Sequence, residues 1–281
     1  MNDSTLLIVP PNDPEAVLIH QIAKAMDLLV HRSPQAHGAT LDQEKDVVEK
    51  VKESGAKRVV IVEIPGVKTE DKIKKLGVEV VIIDHHQYTD LDRSRDMKTG
   101  KSLPSSMFQF LKLFKLGDVR LKKLGFDPRL VRGIAIMDQA YVWGAERRGY
   151  SWKEIGRLME YQDELMATVR SQAGEKRKLA VVKKAWDARE AWNGFFIVQS
   201  KTNTGLRSRL SRIVALEMKK PTPLIIVEKG RGFIYVQESP RANKLFKTFG
   251  GFTFGEHRNW GYKNAGATKK ITLKDVQNAL V

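Results

Sequence analysis

The apolar positions of the chain follow two periods. Short runs rich in β-branched residues, Thr5 to Val9, Val59 to Val62 and Val78 to Ile83, have the length and composition of strands buried on both faces. Between them the spacing turns helical. Ala16, Val17, Ile19, Ile22, Ala23 and Met26 form one stripe behind Pro10-Pro11-Asn12-Asp13, a break suited to opening a helix from Pro14. Leu28 to Val30 reads as a short strand and Ser33 to Gly38 as loop. Leu41 to Ser54 reads as a second amphipathic helix stopped by Gly55, and Glu70 to Leu76 as a short helix stopped by Gly77. This alternation predicts an α/β domain with a mostly parallel sheet flanked by helices.

Further on, Gln87 to Pro104 is polar and reads as loop, and Ser105 suits the N-cap of a helix running through Phe114. Gly133 to Met137 is apolar and ends at the carboxylate of Asp138. Ser151 to Val169 predicts a long amphipathic helix, and Arg170 to Lys178 is polar enough for a hinge, which divides the chain into domains 1–170 and 171–281. The second part alternates again. A helix reaches about Trp192, followed by a strand at Phe195 to Gln199, a basic helix at Leu206 to Met218, and strands at Leu224 to Val227 and Phe233 to Gln237. Helices at Ala242 to Thr248 and at Thr272 to Leu280, capped by Thr272, complete a smaller C-terminal α/β domain.

Composition narrows the chemistry. With no cysteine among 281 residues, disulfides, thiol nucleophiles and thiolate zinc sites are excluded, in keeping with a reducing cytoplasm as the expected location. No apolar run approaches the roughly 18 residues of a membrane span, so no membrane partner is expected. The net charge of +16 is unevenly spread: residues 1–170 hold 27 Lys and Arg against 25 Asp and Glu, whereas residues 171–281 hold 22 against 8. So one-sided a domain points to a polyanion, most simply nucleic acid.

The predicted strand ends carry the candidate chemistry. Val80-Val81-Ile82-Ile83 breaks into Asp84-His85-His86, Val59 to Val62 ends at Glu63, and the first strand leads to Asp13 and Glu15. A turn Asp followed by two histidines serves as a capped loop in many proteins; the same residues at a strand's carboxyl end also suit a cation such as Mn²⁺ or Zn²⁺. Asp138 is equally readable as a hydrogen-bond acceptor or a metal ligand. Crossover connections bring these strand ends to one sheet edge, where acidic groups beside His85 suit two divalent cations that clamp a phosphate and activate a water.

This order of segments resembles the DHH phosphoesterase superfamily, with Asp84-His85-His86 as the eponymous motif and residues 171–281 similar to the DHHA1 domain. The superfamily includes RecJ exonucleases, oligoribonucleases and cyclic dinucleotide phosphodiesterases. The resemblance implies a hydrolase with one or two Mn²⁺ or Mg²⁺ ions on Asp13, Glu15, Glu63, His85 and Asp138. It casts His86 as facing the phosphate and Asp84 as orienting the pair. In the basic domain, Ser239-Pro240-Arg241 resembles the family's substrate-contacting segment, and Gly255-Glu256-His257 with Ala265-Gly266 a stretched form of its glycine-histidine loop. There Arg241 and His257 would grip the substrate.

The sequence departs from the family at four places. Val9 stands where the first motif usually has a metal-binding His, and Glu15 and Glu63 replace the usual Asp. An insertion from Arg258 to Asn264 carries Arg258, Trp260 and Lys263, which suit base stacking and phosphate contact; Trp260 suits a core plug equally well. The expected activity is metal-dependent hydrolysis of single-stranded DNA, RNA or short oligonucleotides. Two alternatives stand beside it: a non-catalytic nucleic-acid-binding or replication and repair scaffold with a degenerate site, and a phosphodiesterase of small or cyclic dinucleotides.

Overall fold

Alternation along each strand decides what covers each face of the first sheet. The structure, a computed structural model, describes residues 4–36, 39–86, 99, 101–254 and 258–281. Strands β1 (Thr5–Val9), β2 (Leu29–Arg32), β3 (Arg58–Val62) and β4 (Glu79–Ile83) are all parallel and lie in the order β2-β1-β3-β4. Leu7, Val9, Val60, Val62 and Ile83 join one core with α1 (Pro14–Ala25). Leu6, Ile8, Val59 and Ile61 join the other, beneath α2 (Val47–Ser54) and α3 (Val67–Lys75). Both faces are covered, which is why the strands read as unbroken apolar runs.

The α1 side is thickened by Met107 and Phe110 of α4 (Ser106–Leu113), Leu121 of α5 (Asp118–Lys123), and Val131 and Ile134 of α6 (Pro128–Arg147). Leu165 of α7 (Trp152–Ala167) adds to it. From β1 the chain steps out to β2 and then returns to β3 on the other side of β1. That reversal opens a crevice at the carboxyl ends of β1 and β3, the place where open parallel sheets bind ligands.

The second predicted helix is shorter than its pattern. Residues Leu41–Gln43 form a single 3₁₀ turn, and α2 begins only at Val47. Glu44 explains the interruption: its buried carboxylate accepts from Ser33 Oγ at 2.6 Å and meets His31 Nε2 at 2.5 Å, with its backbone extended at φ −95°, ψ 106°. The turn also serves α3, because Asp42 Oδ1 accepts from the Thr69 amide at 2.8 Å.

The described chain groups into two units, Met1–Gln139 with Arg157–Val169, and Ala140–Gly156 with Arg170–Val281. The chain leaves the first unit inside α6, where Ala140 (φ −139°, ψ 17°) and Tyr141 (φ 54°, ψ −161°) break the helix two residues after Asp138. In the second unit, β5 (Glu190–Trp192), β6 (Phe195–Ser200), β7 (Leu224–Glu228), β8 (Phe233–Gln237), β9 (Phe252–Phe254) and β10 (Asn259–Lys263) form one mixed sheet, ordered β5-β6-β7-β8-β10-β9. Helices α8 (Gln172–Asp187), α9 (Arg207–Met218), α10 (Ala242–Phe249) and α11 (Leu273–Leu280) pack on it.

Two stretches are more regular than expected. Of the polar stretch from Arg170 to Lys178, everything from Gln172 on is the first part of α8, capped by Ser171, whose hydroxyl accepts from Gly174 N, while the division between the two units falls at Arg170. Its Lys and Glu residues favour helix, and Glu175 pairs with Lys178 on the next turn and with Arg209 of α9. The stretch from Arg258 to Asn264 is strand rather than loop, since most of it is β10, paired with β8 and β9. No helix among the described residues is long and apolar enough to cross a membrane.

The packing of α6 on α7 is close enough to test. A Cβ at Gly133 would lie 2.2 Å from Cδ2 of the fully buried Leu158. Alanine is the better helix former by about 1 kcal/mol, but overpacking costs roughly 1–3 kcal/mol, so Gly133→Ala should lower the urea unfolding midpoint. An unchanged or raised midpoint would mean that Leu158 has room to move.

Candidate metal centre

Each of three strands hands its carboxyl end to a polar residue. After β1, Asp13 caps α1, its Oδ1 accepting from Ala16 N at 2.9 Å, with Pro14 at the first helical position. That cap turns Glu15, in the first helical turn, into the interior, where it is 1% exposed. After β3, Glu63 adopts a left-handed backbone (φ 58°) while its N–H still donates to Ile83 O at 3.0 Å. Such a conformation costs a non-glycine residue about 1 kcal/mol or more and gathers at functional sites.

After β4, Asp84 is 1% exposed and collects three donors on one oxygen. Oδ1 accepts from His85 N (2.7 Å), His86 N (2.9 Å) and His86 Nδ1 (2.9 Å), while the Asp84 carbonyl accepts from Gln109 Nε2 at 2.7 Å. The two imidazoles stack at 4.3 Å. The Ser106 amide nitrogen lies 3.2 Å and its hydroxyl 3.3 Å from His85 Nδ1, and His85 Nε2 is 2.9 Å from Asp138 Oδ2. His85 Nδ1 is also 3.9 Å from Glu63 Oε1.

Glu15, Glu63, His85 and Asp138 each offer one ligand atom, and these four atoms lie within 4.8 Å of one another; Glu63, His85 and His86 form an overlapping set. The electrostatics are strained. Burial above all, then the charges of Asp138 and Asp13, pushes the Glu15 carboxyl well above the ordinary glutamate value of 4.5, and nearby Ser105 and Glu63 offset this only in part. Burial likewise raises Glu63, with Asp13, Glu15 and Asp138 adding to it. Burial by itself lowers His86, but its hydrogen bond to Asp84 and the charges of Asp84, Asp138 and Asp13 outweigh it, so its pKa is raised. Neither Glu15 oxygen accepts a hydrogen bond within ordinary distance, and Asp84 Oδ2 is buried without one. Converging hard oxygens and an imidazole, short of donors, fit a divalent cation such as Mn²⁺ or Mg²⁺.

Asp13 stands apart from the four-atom set. Its charge bears on both glutamates, yet its Oδ1 is engaged at the helix cap. Val9, at the position where the resembled family has a histidine, is wholly buried core. Ser106 and Gln109, which fix the histidine pair, escaped the sequence reading because hydroxyl and amide side chains in a helix's first turns have many uses. Only Ser105, as a cap, was legible there; its side chain accepts from Phe108 N.

The predicted substrate residues belong to the second unit. Ser239 is buried, its hydroxyl accepting from Arg241 N at 3.2 Å, and Arg241 is exposed at the start of α10. Arg258 is half exposed and 3.5 Å from Glu238 Oε2. Lys263 is exposed, 6.0 Å from the centre of the Phe233 ring. Gly255 and His257 lie outside the described residues. Trp260 is the correction: it is fully buried between Phe249 and Tyr262 and donates Nε1–H to Gly250 O at 2.8 Å, so it is a core residue and has no face for a base.

No family model matches the chain, and no curated protein does. Among solved structures, the chain is similar to the exonuclease RecJ bound to manganese, with 13% identity and a TM-score of 0.39 over 92% of this chain and 85% of that one. It is similar to PggH, a pGpG-specific phosphodiesterase from Vibrio cholerae, with 9% identity and a TM-score of 0.45 over 98% and 96%. RecJ of Thermus thermophilus in complex with Mg²⁺ gives 13% and 0.37 over 88% of this chain and 44% of that one.

The raised carboxylates set a pH test. A glutamate whose pKa is higher folded than unfolded holds more protons in the native state, so the metal-free chain loses stability as pH climbs above the ordinary glutamate value of 4.5 toward the raised one. Thermal melting without metal should therefore show a Tm that falls as pH rises above the ordinary glutamate value of 4.5. Glu15→Gln should flatten that fall. Mn²⁺ at a hundredfold excess over Kd should stabilise the wild type by about 2.7 kcal/mol and Glu15→Gln far less; equal stabilisation of both would take Glu15 out of the site.

Proposed function

We propose that the chain is a metal-dependent phosphodiesterase of the DHH/DHHA1 type that hydrolyses single-stranded nucleic acid or short oligonucleotides. The observation that carries this reading is the convergence of Glu15, Glu63, His85 and Asp138, with ligand atoms within 4.8 Å, at the carboxyl ends of parallel strands. The strongly basic C-terminal part supplies the reason for a phosphodiester substrate, since 22 basic residues against 8 acidic ones attract a polyanion.

In this reading Glu15, Glu63, His85 and Asp138 hold the cation, and Asp13 contributes its charge from the helix cap. A bound Mn²⁺ or Mg²⁺ supplies Lewis acidity toward a phosphoryl oxygen and lowers the pKa of water. The chain's own residues do the rest. Asp84 fixes the His86 ring through Nδ1 and, by raising its pKa, keeps it protonated to higher pH; His86 Nε2 is then a proton donor to a phosphoryl or leaving oxygen. Ser106 and Gln109 lock the loop, which lets His85 keep one orientation when the cation leaves and returns. Arg241, Arg258 and Lys263 are the proposed contacts to the nucleic acid, with Gly255 and His257 proposed on the family resemblance.

One observation favours a second reading. Asp13 caps α1 through Oδ1 and lies outside the four-atom group, and Val9 offers no ligand, so among the described residues a second cation would have fewer donors than the first. A scaffold that binds nucleic acid without cutting it would have that same deficit.

Incubation of the chain with labelled single-stranded DNA and RNA in Mn²⁺ separates the two. Cleavage is expected, and His85→Ala and Asp138→Asn should each lower kcat by at least about a hundredfold with strand affinity within about twofold. No cleavage with any divalent metal, alongside retained strand binding, would leave the scaffold. Arg241→Ala should do the reverse: weaker binding and a shallower salt dependence, with metal affinity unchanged.

A further inference from the structure

A cavity of about 460 Å³ in the second unit is lined by Lys178, Arg207, Arg209, Arg231 and Tyr235, and none of these belongs to the residues assigned above. Its walls are built rather than incidental. Glu228, fully buried, accepts on Oε1 from the amides of Leu206 (2.5 Å) and Arg207 (3.1 Å), and on Oε2 from Arg231 Nη1 (2.7 Å), so one carboxylate fixes both the start of α9 and the Arg231 fork. Two glycines let the adjoining loops meet: a Cβ at Gly230 would lie 2.4 Å from Thr202 O, and one at Gly205 2.6 Å from Arg231 Nη1.

The charge does not balance. Glu175 pairs with Lys178 and Arg209, and Glu228 with Arg231. Four cations thus share two carboxylates, and Arg207 makes no ion pair among the described residues. Instead its guanidinium lies 4.6 Å from the Phe254 ring centre and 5.5 Å from that of Tyr235. Beside it the sheet presents aromatic rings in a row. Gly261 of β10 stands in register between Tyr235 and Phe252, and a Cβ there would meet both rings at 2.6–2.8 Å, so the missing side chain is what allows them together. Phe252 is 40% exposed.

We propose that this pocket binds a backbone phosphate of single-stranded nucleic acid, with the neighbouring base against Phe252. A cavity of this size holds a nucleotide, an excess of guanidinium groups recognises phosphate, and exposed rings beside cations form a platform for unpaired bases. The inference rests on the nucleic-acid reading above but uses different residues, and it assigns them no part in the hydrolysis.

The test is fluorescence anisotropy of a labelled twelve-nucleotide single strand with the full chain in EDTA, over a range of KCl. Arg207→Gln should weaken binding roughly tenfold and reduce the salt slope by about 0.7, the value for one phosphate no longer neutralised on a single strand. Lys178→Gln, at a side chain 48% exposed and removable without touching the core, should shift both in the same direction. Phe252→Ala should weaken binding about fivefold or more. Unchanged affinity and slope in all three variants, or AMP competing as well as the twelve-mer, would overturn the proposal. Hydrolysis of a dinucleotide in Mn²⁺ is read separately: a wild type that binds the strand but cleaves nothing sinks the catalytic reading alone.

Discussion

Several carboxylates are held close together at the edge of one sheet, two of them almost without access to water. Placing a single unpaired carboxylate in such surroundings costs several kcal/mol, and Glu15 and Glu63 answer by raising their pKa values. A proton on each relieves part of the repulsion, and a divalent cation held among Glu15, Glu63, His85 and Asp138 would relieve more of it. The arrangement is a poor one for stability and a good one for holding a metal.

The fold imposes the convergence. Parallel strands in the order β2-β1-β3-β4 place the ends of β1 and β3 side by side, with that of β4 next in line. Covered faces leave no solvent into which Glu15 can turn, because Asp13 and Pro14 fix the first turn of α1. The left-handed backbone of Glu63 reverses the chain at once after β3. Asp84 does for the β4 loop what a cap does for a helix, tying two amides and one imidazole to a single oxygen. Asp138 arrives from α6 in the last turn before the helix breaks at Ala140. Four separate segments thus converge on one small volume.

Much of this was readable in advance, for definite reasons. β-Branched runs such as Val59 to Val62 announce buried strands, and a carboxylate or histidine immediately after one lies at the strand's carboxyl end, so Glu63 and His85 could be named as candidates without coordinates, whereas Asp138, equally readable as a hydrogen-bond acceptor, became an expected ligand only through the family resemblance. What could not be read depended on partners distant in sequence. Glu44 interrupts a good helical pattern because His31 and Ser33 claim its side chain. Residues 172–178 look like a polar connector until Arg209, more than thirty positions on, pairs with Glu175. Trp260, set among polar residues, looked as apt for a base as for a core, and only the strand pairing of β10 put it inside. The pocket around Arg207 left no trace in sequence beyond a basic helix, since its shape comes from two glycines and a buried glutamate on different strands and loops.

Anomalous scattering from crystals grown with Mn²⁺ tests the central claim most directly. The account predicts a manganese peak within bonding reach of Glu15, Glu63, His85 Nε2 or Nδ1 and Asp138, absent from crystals of the Glu63→Gln variant. Manganese density elsewhere on the chain with that cluster empty, or full occupancy retained in Glu63→Gln, would contradict it.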